Sequence, residues 1–161
     1  MPGYGLLGPN EGTGLLPWSW AEQRLSHSKN YWVVTLCPDG RPHAMPVWGV
    51  WDRARELFWF TSSVRSRKAR NVSSDGRCVV TTEDALNPVV VEGTAEMTID
   101  TDDIRSMLAL VNAKYSTEYS LDFMNPTVNA TIRVRPHWAF ALAEEDFSGS
   151  PTRWSFEGPE H

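Results

Sequence analysis

Between Tyr31 and Thr61 three strand-like segments follow one another with only tight turns between them, and this spacing constrains the fold more than any other feature of the chain. The segments are Tyr31 to Cys37, Arg41 to Trp51 and Leu57 to Thr61, joined by Pro38-Asp39-Gly40 and by Arg53-Ala54-Arg55. Such connections make an antiparallel meander. Further strands are expected at Arg77 to Thr82, Val89 to Ile99, Ala130 to Val134, His137 to Ala143 and, short and terminal, Arg153 to Phe156. Helices punctuate them. One follows Pro17, where Ser19 and Glu22 read as a capping box and Trp20, Leu25 and His27 as the core-facing stripe. A short one runs from Ser66 to Ser73. A third opens at Thr101 with Asp102 and Asp103, with Ile104, Leu108, Val111 and Tyr115 at helical spacing. About seven locally connected strands with two or three helices predict a mainly β fold, an antiparallel barrel decorated by helices, because closure removes exposed sheet edges. The regular strand–helix alternation of a doubly wound sheet is absent.

The 161 residues suffice for one domain with a full core. Residues 1–16 are rich in Gly and Pro and read as an extended arm before a domain at 17–161. Gly3, Gly5 and Gly8 match a dinucleotide fingerprint, but no strand leads into them as that motif requires. The longest apolar stretches are too short to span a bilayer and no signal-peptide pattern opens the chain, so a cytoplasmic location without membrane contact is expected. Cys37 and Cys78 are isolated from each other and from any His cluster, which argues for free thiols rather than a disulfide or a metal site.

With a net charge of −5, the chain nonetheless gathers Arg65, Arg67, Lys68 and Arg70 into six positions. Thr61, Ser62 and Ser63 lie just upstream, and Ser66 stands where it can cap the short helix. Helix-start N–H groups, hydroxyls and Arg forks together describe a phosphate-binding corner. On these residues alone, a solvated basic face with Ser66 as a simple cap accounts for the run equally well. The acidic total, with its basic residues in one corner, argues against a nucleic-acid groove. In the segment His43 to Trp51, Pro46 removes a ladder donor and Gly49 a side chain, which suits either a barrel edge or close approach of a flat ligand.

These residues, in this order, resemble the FMN-binding split-barrel family that includes pyridoxamine phosphate oxidase, and most closely its deazaflavin (coenzyme F-420) dependent reductase branch. The resemblance rests on Asn30-Tyr31-Trp32, on Pro38 to His43, on Met45 to Trp51, on Phe60-Thr61, on Ser66-Arg67-Lys68-Ala69-Arg70-Asn71 and on Val79 to Glu83. It implies a split β-barrel whose cofactor, coenzyme F-420 or FMN, is gripped at its phosphate by Arg67 and Lys68. Phe60 and Thr61 would line the ribityl chain, and Met45, Pro46, Val47 and Trp48 would run along the ring. Ser62, Arg65, Ser66 and Asn71 complete the corner. In this branch the cofactor lies at a two-fold dimer interface, so Arg153 and Trp154 would contribute from either protomer of a homodimer. Arg153-Trp154-Ser155 replaces the Arg-x-His with which the oxidase holds its substrate, so the resemblance does not extend to making pyridoxal phosphate. No Ser/His/Asp constellation for protein-based covalent catalysis is visible. The implied activity is hydride transfer between the bound cofactor and a small conjugated substrate; the alternative is a flavin-, deazaflavin- or haem-binding protein without turnover.

Overall fold

The computed structural model describes residues 11–156. In chain order its elements are α1 (Trp18–His27), β1 (Tyr31–Leu36), β2 (Pro42–Val47), β3 (Gly49–Asp52), β4 (Leu57–Ser63), α2 (Arg67–Ser74), β5 (Arg77–Thr82), β6 (Val89–Thr98), α3 (Thr101–Tyr115), β7 (Asn129–Ala141) and β8 (Thr152–Ser155). All strands belong to one antiparallel sheet ordered β2-β1-β5-β6-β7-β4-β3, with β8 added to β7. The strands at the two ends of that order are neighbours in sequence, separated only by Trp48. Val47 pairs with Tyr31 at one edge and Gly49 with Phe60 at the other. A link of one residue holds its flanking Cα atoms within roughly 7 Å. The sheet must therefore curl until its edges meet, which makes an antiparallel split barrel. The single strand expected from Arg41 to Trp51 is for this reason two strands on opposite edges.

Two cores result. Phe58 and Phe60 point inward and pack with Tyr31, Val33, Val80, Val91, Ile132 and Val134. Leu57 and Trp59, one residue out of phase, point outward with Val50 and are covered by Ile104, Met107 and Leu108 of α3. Both faces of β3 and β4 are thus apolar, which explains the unbroken Leu57-Phe58-Trp59-Phe60 run. Trp18 of α1 packs edge-on against Trp51, Trp154 and Phe156 with ring centroids 5.2–5.9 Å apart, tying α1 and the β8 segment to β3.

Several boundaries differ from expectation. Ser19 lies inside α1 and caps nothing. Pro17 is the N-cap residue, and its carbonyl accepts the Trp20 N–H at 2.9 Å. Glu22 instead accepts the indole N–H of Trp51 at 3.2 Å. Ala21 and Leu25 form the buried stripe, while Trp20 is half-buried beneath Arg24 and His27 is exposed. The cap of α3 is Asp100, which accepts from the N–H groups of Asp102 and Asp103 at 3.0 and 2.9 Å. The two strands expected around Arg135-Pro136 are one, because β6 shifts register between Glu92 and Gly93 and sets Gly93 opposite Pro136. A Cβ at Gly93 would lie 2.1 Å from the Arg135 carbonyl oxygen, so only glycine permits that approach. Of the expected arm, Gly14 donates to the Gly149 carbonyl at 3.2 Å and Leu16 to the Thr152 hydroxyl at 2.9 Å. The glycine fingerprint at 3–8 lies outside the described residues.

Gly49 sits where the edges meet, and a Cβ there would fall 2.2 Å from Cζ of the fully buried Phe58 ring. Gly49→Ala is expected to lower unfolding free energy by about 1–3 kcal/mol through overpacking, read as a lower denaturation midpoint with an unchanged slope in urea.

Candidate functional site

The last residues of β4 run past the end of β3 and deliver the chain into α2. Ser66 is the N-cap of α2, accepting the Ala69 N–H at 3.2 Å, and the Ser62 hydroxyl donates to its oxygen at 2.8 Å. The helix is short, so its orientation depends on packing. Ala69 and Val72 enter the barrel core, and the buried Asn71 amide donates to the Thr35 hydroxyl of β1 at 3.0 Å. Thr35 faces His43 across the β1–β2 ladder. Through this chain of contacts the first turn of α2 is held beside β2.

β2 pairs with β1 along one side only, which makes it an edge strand and accounts for Pro46. Its other side borders the seam of the barrel. His43 and Met45 lie on the same sheet face as Thr35 and Val33, whose side chains point inward. His43 is close enough to Arg67 and Lys68 for their charges to add to desolvation in holding its imidazolium below the usual range. Its Nδ1 is buried without a hydrogen-bond partner. Lys68 is partly buried, and loss of water lowers its pKa. Among the described residues neither Arg67 nor Lys68 meets a carboxylate, whereas Arg41, Arg53, Arg55, Arg77, Arg105 and Arg133 each do. An acidic protein has thus left two cations unneutralised at a capped helix start, opposite an unsatisfied imidazole nitrogen. That donor set matches a phosphate.

The sequence-predicted residues divide. Ser62, Ser66, Arg67 and Lys68 gather at this corner beside Thr61, and Met45 and Pro46 are exposed along β2. Arg65 is exposed just before the helix and receives the Arg70 guanidinium on its carbonyl at 2.6 Å. Four others are placed as follows. Phe60 is 1% exposed, so only its backbone is available to a ligand. Val47 is buried. Asn71 spends its amide on Thr35 and Cys37 and holds the helix rather than a ligand. Trp48, 52% exposed, is stacked on Tyr115 at 4.4 Å and 3°. The close backbone approach read at Gly49 is real, but side chains of α3 occupy it. The Tyr115 hydroxyl accepts the Gly49 N–H at 2.9 Å, and Lys114 Nζ donates to the Gly49 carbonyl at 2.9 Å.

Arg153 and Trp154 lie toward the other end of β7. Arg153 is in register with Phe140 and stacks over Trp138, whereas the end of β4 is in register with Asn129. The intervening β7 has a contour of roughly 35 Å at about 3.3 Å per residue. No local motif gives His43 a role or singles out Lys114; the one signal for the latter is a basic residue in the last turn of a helix. Among the described residues no helix is long and apolar enough to cross a membrane.

Replacing Asn71 by Leu is expected to cost about 1–3 kcal/mol by stranding a buried hydroxyl, visible as a lower melting temperature in calorimetry.

No curated protein matches the sequence. The fold is shared with a conserved hypothetical protein from Mycobacterium tuberculosis at 20% identity and a TM-score of 0.73, covering 95% of this chain and 98% of that one. An F420 reductase matches at 24% identity and a TM-score of 0.57, over 71% and 91% of the two chains. A haem-binding protein from Mycobacterium smegmatis matches at 18% identity and 0.61, over 84% and 57%. The family model described as pyridoxamine 5'-phosphate oxidase matches residues 21–143, well over half the sequence, and the chain belongs to that family.

Proposed function

We propose that the protein is an oxidoreductase that binds a phosphate-bearing flavin or deazaflavin, FMN or coenzyme F-420, in the barrel seam and transfers a hydride between it and a small conjugated organic substrate. The observation that carries this reading is the uncompensated pair Arg67 and Lys68 at the Ser66-capped start of α2, facing the buried, unpartnered His43 Nδ1. Arg67 and Lys68 would hold the phosphate, helped by the first-turn N–H groups of α2 and the hydroxyls of Thr61 and Ser62. The free side of β2 from His43 to Trp48, roughly 16 Å long, would lie along the remainder of the cofactor, with Met45 and Trp48 as apolar cover. The cofactor supplies the hydride chemistry; the chain positions it and keeps water from its reactive atom. The fold shared with an F420 reductase brings the deazaflavin in beside FMN as a candidate. The fold shared with a haem-binding protein makes non-catalytic haem binding the reading to test against.

Absorption spectra recorded on titration with FMN, coenzyme F-420 and haemin decide among them. Binding of FMN or the deazaflavin is expected, and Arg67→Ala with Lys68→Ala should weaken it at least about hundredfold, or roughly 2.7 kcal/mol, with little change in melting temperature. Equal affinity in the double variant would remove the phosphate role.

We further propose a homodimer. The outer side of the β1–β2 ladder pairs Trp32 with Pro46 and leaves both exposed, and Arg153 and Trp154 lie too far along β7 to join the corner of their own chain. Multi-angle light scattering should give twice the chain mass of 18.2 kDa; a monomer at micromolar concentration would overturn the shared site.

A further inference from the structure

We infer that the cleft between α3 and the end of α1 is a second ligand site, one that takes a small carboxylate with an apolar body and holds it on the Lys114 ammonium. This inference does not rest on the cofactor reading. The cleft has a volume of about 440 Å3, within the range of roughly 300–1,000 Å3 typical of small-molecule sites. Val50, Trp51 and Leu110 give it an apolar wall, while His27, Lys29 and Lys114 line its polar side. No Asp or Glu lines it. The Trp51 wall is fixed in place, since its indole N–H is spent on Glu22 at 3.2 Å.

Lys114 is the group that defines the ligand. Its Nζ donates to the Tyr31 hydroxyl at 2.6 Å and to the Gly49 carbonyl at 2.9 Å. Both acceptors are neutral at ordinary pH, because burial drives the Tyr31 phenol well above its usual range. An ammonium has three donors, so one remains for a ligand. Among the described residues no carboxylate forms an ion pair with it. Tyr115 lies beneath it as a ring, 5.4 Å from Nζ to the centroid. Lys29 on the α1 side adds positive charge. Glu83, the carboxylate that acts on Lys114, makes no ion pair with it and is engaged by the Lys29 N–H at 2.9 Å and the Asn30 amide at 2.9 Å. A half-buried cation held only by neutral acceptors is costly to desolvate, and burial draws its pKa down to about 8. A carboxylate entering the cleft would supply the missing counter-charge while its apolar portion covers Val50 and Trp51. A single available N–H and one buried charge suit a monocarboxylate, whereas the many donors of the α2 corner suit a phosphate.

Isothermal titration of the full chain with cinnamate, and with neutral cinnamyl alcohol as the isostere, tests the assignment. One cinnamate per chain is expected, with the alcohol at least about tenfold weaker. Affinity should be highest well below pH 8 and decline as pH rises through that value, where the ammonium loses its proton. Lys114→Met should weaken cinnamate binding by about tenfold or more. Ala113→Trp, at an exposed cleft position that leaves the Lys114 hydrogen bonds in place, should block binding without lowering the melting temperature. The Arg67→Ala, Lys68→Ala variant should bind cinnamate as the wild type does, so loss of FMN or deazaflavin binding there bears on the seam alone. Absence of cinnamate binding, equal binding of the alcohol, or full binding in Lys114→Met and Ala113→Trp would overturn the proposal. Loss of cinnamate binding in the Arg67, Lys68 variant would also overturn it by placing the anion in the seam.

Discussion

The covalent link through Trp48 governs this structure. Because β2 and β3 occupy opposite edges of the sheet and are joined by one residue, the sheet has no freedom to lie flat. Its curl brings Tyr31 and Val47 into the same core as Phe58 and Phe60, and it creates the seam that the free side of β2 borders. Gly49, directly after the link, must be small on one side, where Phe58 packs against it, and must offer bare backbone on the other, where Lys114 and Tyr115 bond to it. One glycine therefore reconciles the inner core with the helix laid on the outside.

The two cores divide their tasks. The inner one fixes α2 through Ala69, Val72 and the Asn71–Thr35 bond, and so determines where the basic first turn of that helix points. The outer one fixes α3 through Ile104, Met107 and Leu108, and so brings Lys114 to the barrel end. Each core thus positions cations that local charge does not neutralise, in two separate places with different donor inventories. Elsewhere charges are paired, as Arg133 is with Glu96 and Asp103.

The Trp residues show how one compositional feature resolves into distinct physical roles. Trp18, Trp51 and Trp154 form an edge-on cluster that ties α1 and β8 to β3. Trp59 fills the outer core, Trp20 carries Arg24 on its face, and Trp138 carries Arg153. Trp32 remains exposed, and Trp48 covers Tyr115 at the closure point.

The sequence by itself determined most strand positions, the antiparallel class, the Ser66 cap and the basic corner, because alternation, turn residues and helix capping are encoded within a few positions. It also carried the family, through the ordered motif around Ser66-Arg67-Lys68. Only the tertiary structure decided what depends on residues far apart in the chain. The break at Trp48 follows from strand order. The burial of Phe60 and the use of Asn71 as an anchor follow from which face meets the core. Glu22 leaves the expected capping box because Trp51 offers it an indole donor from another element. His43 and Lys114 acquire significance only when folding withdraws water and carboxylates from around them, a property of packing that no local pattern records.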